Sequence, residues 1–296
     1  MANAKTGTVL SPSLLESWER AKLAWSKFTR LQDPLVLSNI DDIIEHQMQG
    51  VMAQIEMADL RVILNMISIT QLKLENLLDV IMAHEVGHHV LAPGSLLNHV
   101  RLVSVISGIL SGGQREFMVN IFTDLLVNDF LFTQRHMKVN EIYMVLKKRY
   151  EEASMEFGED SGDAFWALYM RIYEILWRMP RGSMCNIGEL TGEIERDAKL
   201  AARTLRTFSK KWFKCIKNLT YIFKGYLPEM TPTWEKAFAP SFDKIKPGKD
   251  ALDKVWGFSK MSEEEAMKPT EKTYDGSLSD IFKGSGSREG QLPTQG

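Results

Sequence analysis

Apolar residues recur every three or four positions along most of this chain, the spacing that places them on one face of a helix. Ser11-Pro12 opens the first such stretch as a capping residue followed by proline, and Leu14, Leu15, Trp18, Ala21, Trp25 and Phe28 continue it. It should end before Asp33-Pro34. Helical spacing returns from Ile40 to Met57, and then Arg61-Val-Ile-Leu-Asn-Met-Ile-Ser-Ile69 is short, β-branched and almost continuously apolar, which predicts a strand. Further helices are predicted over Glu75 to Leu91, closed by Pro93-Gly94, over Leu96 to Leu110, and over Glu116 to Phe132 after the break Ser111-Gly112-Gly113. Two more cover Asn140 to Glu152 and Ala164 to Met179, with an acidic, glycine-containing loop at 156–163 between them and Pro180-Arg181-Gly182-Ser183 after them. A long amphipathic helix is predicted from Ile194 to about Lys224. Six of the ten prolines lie from Pro228 onward, where hydrophobic residues thin out. The pattern therefore predicts a mainly α (α+β) domain over residues 1–228, with a small sheet, and an extended, largely disordered tail over 229–296.

Composition narrows the class without naming a function. The chain has 296 residues, 44% hydrophobic and 25% charged, which is ordinary globular composition and enough for a sizeable core. Lys and Arg number 36 against 38 for Asp and Glu, a net charge of -2, so no whole-chain field favours nucleic acid or anionic lipid. Nucleic acid is not an expected partner. Two cysteines, Cys185 and Cys215, are too few for a disulfide framework or a four-thiolate zinc site and fit a reducing compartment. The first residues contain no apolar block of signal-peptide length, and no apolar run reaches the ~18 residues of a membrane span. A cytoplasmic location is the expectation.

The strongest chemical signal is His84-Glu85-Val86-Gly87-His88, inside a predicted helix. Residues four apart share a helix face, so His84 and His88 can aim two imidazoles at one point about 2 Å from each ring nitrogen, as Zn²⁺ requires. Glu85, one residue along, can reach a water at that metal without being a ligand, so it is the candidate general base for metal-assisted hydrolysis. Gly87 costs about 1 kcal/mol of helix propensity and suggests that another element approaches the helix there.

A zinc site needs a third protein ligand. A histidine six residues after His88 would complete a familiar longer motif, but Gly94 stands there. His89, His99, Glu116 and Asp124 remain. His89 points about 100° away from His88. His99 lies beyond the helix terminator, among residues that suit a plain amphipathic helix. Glu116, Asn120, Asp124 and Asn128 form a polar stripe at i+4 along a helix otherwise filled by Phe117, Met118, Val119, Ile121, Phe122, Leu125, Leu126 and Val127. Glu116 falls in the first turn, where the helix dipole already favours a carboxylate. Asp124 lies mid-helix among apolar residues, where a buried charge without a partner costs several kcal/mol. Asp124 is the choice, with Asn120 and Asn128 expected to hydrogen-bond the groups around it.

At these two segments the chain resembles a zincin-type metallopeptidase, and more narrowly the uncharacterised bacterial metallopeptidase-like proteins associated with MoxR-type AAA+ ATPases and von Willebrand A-domain proteins. The matching residues are His84-Glu85-Val86-Gly87-His88-His89 and Asn120-Ile-Phe-Thr-Asp124-Leu-Leu-Val-Asn128; Leu168-Tyr-Met-Arg-Ile-Tyr-Glu-Ile-Leu-Trp177 is also similar. The likeness covers about residues 50 to 180. It departs from zincins with a glutamate ligand, because Asn120 stands at the glutamate position if Thr123-Asp124 is the pair that follows. The resemblance implies a zinc peptidase acting on peptide or protein substrates, with an AAA+ ATPase or A-domain protein as a partner, or a metal-binding scaffold in such an assembly. A substrate backbone is expected to add to the edge of a strand such as Val62 to Ile69. Arg135, His136, Tyr169 and Tyr173 are candidate electrophilic helpers without a spacing argument.

Lys199, Arg203, Arg206, Lys210, Lys214 and Lys217 form a second stripe, and no Asp or Glu occurs between Lys199 and Lys224. It suits a docking face for an anionic partner, or simply the solvated side of a core helix. The second account is the expected one.

Overall fold

The structure is a computed structural model that describes residues 10–26, 29–56, 59–110, 112–157 and 164–227. The expected tail lies outside the described residues, as does 158–163 of the acidic loop expected over 156–163, whose first two residues are helical. Among the described residues ten α-helices and three strands follow one another: α1 Pro12–Leu23, β1 Gln32–Leu37, α2 Ile40–Glu45, β2 Ala53–Glu56, β3 Arg61–Asn65, α3 Met66–Gln71, α4 Leu78–Val90, α5 Leu96–Ile106, α6 Gly113–Arg135, α7 Val139–Phe157, α8 Ala164–Trp177, α9 Gly192–Phe208 and α10 Trp212–Phe223. The domain is mainly helical with one small sheet, as the periodicity predicts. Among the described residues no helix is long and apolar enough to cross a membrane.

Local signals explain many boundaries. Ser11 caps α1, its side chain accepting from the Leu14 amide at 3.3 Å, and Pro12 opens the first turn where its missing N–H has no helical partner. Gly94, at φ +69°, takes the left-handed turn after α4. Gln47 and Gly50, both at positive φ, stop α2 and turn the chain into β2, so the helix expected over Ile40 to Met57 is a six-residue helix followed by a strand. The strand expected to reach Ile69 stops at Asn65. There the Asn65 side chain accepts from the Ser68 amide as the cap of α3 and donates to the Met48 carbonyl at 2.9 Å.

The sheet order is β1-β3-β2, with β1 parallel and β2 antiparallel to β3. Ile63 is paired on both sides, with Leu35 and with Gln54. β3 is thus the central strand, and the expectation that a peptide adds to its edge is wrong: both its edges are taken. Pro34 sits on the outer strand β1, where the register slips between Gln32 and Leu35 and no ladder N–H is required. One face of the sheet, with Ala53, Ile55, Val62 and Leu64, joins the main core, while Leu37 and Ile63 on the other meet Ile43, Met48 and Val51 in a small separate cluster.

The long helix expected from Ile194 to Lys224 is two helices. Lys211, with φ -127° and ψ 72°, leaves the helical region and starts α10. The buried residues Ile194, Ala198, Ala201, Ala202 and Leu205 of α9 and Trp212, Cys215, Ile216, Leu219 and Phe223 of α10 keep one helical phase across the break. Periodicity alone therefore reads one helix. The break lets α9 lie on α8 while α10 returns against α9, α5 and α6.

Candidate metal centre

Two helices carry the candidate ligands, His84 and His88 from α4 and Asp124 from α6. Their close approach depends on Gly87. A Cβ built there would lie 2.5 Å from both Trp25 Cζ2 and Val127 Cγ1, closer than any side chain tolerates. Trp25 also donates its indole N–H to the Ala83 carbonyl at 2.7 Å and stacks on Phe130 of α6, tying the end of the α1 segment to both helices. The approach of another element at Gly87, expected from its poor helix propensity, is present.

The ring nitrogens are oriented from behind. His88 Nδ1 donates to the Ala92 carbonyl at 2.9 Å, a group that can only accept, so Nε2 of the neutral ring carries a lone pair. His84 Nδ1 donates to Asn128 Oδ1 at 2.7 Å, and the Asn128 amide in turn donates to the Tyr143 and Tyr173 hydroxyls, each at 2.8 Å. The same tautomer turns Nε2 of His84 toward His88. The two Nε2 atoms lie 3.1 Å apart, with Asp124 Oδ1 3.4 Å from His88 Nε2 and 3.8 Å from His84 Nε2.

The donor set fits a metal. Bonds of about 2.0–2.1 Å in a tetrahedral zinc site put ligand atoms about 3.3–3.4 Å apart, and the three separations bracket that value. Among the described residues, these three side chains form a group whose ligand atoms all lie within 4.8 Å of one another. Two imidazole nitrogens and a carboxylate oxygen are ligand types that a divalent cation such as zinc takes. His84 is 1% exposed, His88 0%, Asp124 3% and the adjacent Glu85 1%, so the whole group lies under the protein surface.

The other candidates fall elsewhere. His99 Nε2 and Glu116 Oε2 pair with each other at 2.9 Å, and the Glu116 side chain is 58% exposed, about 12 Å along the α6 axis from Asp124. His89 is half-buried, and burial lowers its pKa below the ordinary value. Of the polar stripe on α6, Glu116 is exposed, Asn120 half-buried, and Asp124 and Asn128 buried. Among the suggested helpers, Arg135 donates to the Trp25 carbonyl and covers the Phe130 ring, and His136 ends α6 in a left-handed conformation about 18 Å along the axis from Asp124.

Tyr169 and Tyr173 do reach the centre. Tyr169 donates to Asp124 Oδ2 at 3.4 Å and lies 2.9 Å from the Tyr173 hydroxyl. Burial, reinforced by the neighbouring Tyr143, holds both phenols well above their ordinary pKa, so they stay protonated. Sequence reasoning missed Tyr143 and the Ala92 carbonyl. The Tyr169 and Tyr173 pair at i+4 on α8 was a visible signal; Tyr143 had none, because its role depends on how α7 meets α6.

The basic stripe divides between α9 and α10. Lys199 pairs with Glu195 at 3.6 Å, Arg206 donates to the Ile175 and Leu176 carbonyls at the end of α8, and the Lys214 ammonium lies over the Phe208 ring. No protein-family description, curated protein or solved structure matches this chain. The structure thus brings together a buried two-histidine, one-aspartate group that could hold a metal ion.

Proposed function

We propose that the protein is a zinc-dependent hydrolase acting on peptide bonds, with His84, His88 and Asp124 as the metal ligands and Glu85 as the general base. The carrying observation is the triangle of His84 Nε2, His88 Nε2 and Asp124 Oδ1, whose two histidines lie on the helix that also bears Glu85. His84, His88 and Asp124 would hold the zinc ion, which when bound would supply an acidified water and a Lewis acid for the scissile carbonyl. Asn128 and the Ala92 carbonyl keep both imidazoles in the tautomer that presents Nε2. Glu85 takes the proton as water adds to the carbonyl carbon and delivers it to the departing amine nitrogen when the C–N bond breaks. Peptide addition to the sheet would fall to β2, the outer strand that packs against α4.

The burial of all four residues favours a second reading, a metal-bearing scaffold that works with an AAA+ ATPase of the MoxR type or a von Willebrand A-domain protein. Glu85→Gln separates the two, because it removes the base and leaves every ligand. The variant should keep about one Zn²⁺ per chain by metal analysis and lose cleavage of unfolded protein substrates. Absence of cleavage by the wild type, alone and with such a partner, would leave the scaffold.

A further inference from the structure

We propose that Tyr169 is a positioning residue that holds the Asp124 carboxylate in its ligating orientation, through a hydrogen-bond chain anchored at the opposite ligand, His84. The inference rests on the reading of His84, His88 and Asp124 as metal ligands. Its geometric basis is that the two oxygens of Asp124 face different neighbours. Oδ1 faces the histidine nitrogens, and Oδ2 accepts from the Tyr169 hydroxyl at 3.4 Å.

The direction of every proton in the chain follows from its two ends. His84 Nδ1 donates to Asn128 Oδ1, which leaves the two N–H bonds of that amide for the Tyr143 and Tyr173 oxygens, and both are used, at 2.8 Å each. The Tyr173 oxygen is then an acceptor toward Asn128, and its own hydrogen is available for Tyr169, 2.9 Å away. Tyr169 must spend its hydrogen on Asp124, because a carboxylate only accepts. The order His84, Asn128, Tyr173, Tyr169, Asp124 closes a loop around the metal position from outside. Tyr143 is a side branch that joins at Asn128. The rings pack as a unit, Tyr143 stacked on Tyr173 at 5.2 Å and Tyr169 edge-on to Tyr173 at 5.1 Å, so each hydroxyl is held where it is needed.

A carboxylate has a broad torsion about its last bond, and a ligand left free to turn could offer either oxygen or both. Fixing Oδ2 on Tyr169 leaves Oδ1 as the one metal-facing atom and makes Asp124 a monodentate ligand. Outer groups that orient ligands in this way are worth about 10–100-fold in metal affinity.

The test compares Tyr169→Phe and Tyr143→Phe with the wild type in the full chain, each variant losing one oxygen. Zn²⁺ affinity is measured by competition with a chelator, and the visible absorption of the Co²⁺-loaded protein reports ligand geometry. Tyr169→Phe should bind zinc about 10–100-fold more weakly and shift the Co²⁺ bands. Tyr143→Phe, which removes one acceptor of the Asn128 amide but keeps the chain to Asp124, should weaken zinc less and leave the Co²⁺ bands in place. Wild-type affinity and an unchanged Co²⁺ spectrum in Tyr169→Phe would overturn the proposal, as would equal losses in both variants, which would signal general loosening. Should Tyr169→Phe fail to fold, Tyr173→Phe, which removes the donor to Tyr169 without touching Asp124, is judged by the same criterion. Asp124→Ala is the separate control: if it keeps full zinc affinity, the ligand assignment itself has failed.

Discussion

Two polar clusters meet α8 on different faces of the same turns, one through Arg171 and Glu174 and the other through Tyr169 and Tyr173, and they are built on opposite principles. Arg171 donates from Nε and Nη2 to the two oxygens of Glu195, each at 2.8 Å, and from Nη1 to Glu174 at 2.9 Å. Glu174, fully buried, also accepts from the Gly182 amide at 3.0 Å and the Met184 amide at 2.8 Å. Each charge there meets an opposite charge or a donor, so the cluster closes on itself and its product is structure: it fastens the loop after α8 and the start of α9. The cluster at His84, His88 and Asp124 does the reverse. Its outward atoms are satisfied by Asn128, Ala92 and Tyr169, while the two Nε2 atoms and Asp124 Oδ1 turn inward toward one another. A polar group that completes itself explains stability. One whose ligand atoms converge from two helices on a shared point could hold a metal ion.

The contrast can be broken most sharply at Asp124. Asp124→Ala should weaken zinc binding by orders of magnitude, read by chelator competition, while Glu116→Ala, whose carboxylate pairs with His99 far from the centre, should leave it unchanged. Equal effects of the two would remove the distinction between the clusters. Glu174→Ala is the converse experiment. It leaves buried Arg171 short of a partner and two loop amides without their acceptor, at a cost of about 3–5 kcal/mol in urea unfolding. Its effect on zinc affinity should be small beside that of Asp124→Ala, provided the measurement is made where the variant is folded.

Gly87→Ala probes the packing beneath the metal centre. Overpacking against Trp25 and Val127 costs about 1–3 kcal/mol, offset by about 1 kcal/mol of helix propensity, so a net loss of up to about 2 kcal/mol is expected. A stabilised variant would show that α4 and α6 do not need the close approach. The smallest effect concerns acid. The Arg171 guanidinium holds the Glu195 carboxyl down to about 2, below its usual 4.5, and a depressed carboxylate stabilises the fold above its ordinary pKa. That stabilisation is lost as pH falls from about 4.5 toward 2, as Glu195 takes up its proton. Glu195→Gln should therefore be less stable than wild type at pH 6, and the gap should narrow toward pH 2. A gap independent of pH would show that the pair's charge contributes nothing.

Legibility in the sequence followed the range of the interactions involved. The first helix was readable because its signals, a capping serine, a proline and an apolar face, lie within a few residues of one another. His84 and His88 were readable for the same reason, since four residues on one helix fix their relation before anything else folds. Asp124 was readable only by exclusion, as a carboxylate that its own helix could not account for. The sheet was read in part. Val62 to Asn65 has a strand's composition, but Gln32–Leu37 and Ala53–Glu56 become strands because β3 lies between them to receive their hydrogen bonds.

What the sequence by itself determined was which faces of its helices are apolar and which two histidines share a face, because helix geometry converts spacing into direction with no other information. Only the tertiary structure decided where those faces go. The apolar phase from Ile194 to Phe223 runs unbroken through Lys211, yet the chain turns there because α9 finds α8 while α10 finds α5 and α6, and one straight helix could not cover both. Likewise nothing local directs Tyr169 toward Asp124, or Asn128 toward His84. Those contacts exist because α4, α6 and α8 pack side by side, and burial then leaves their polar groups no partner except one another.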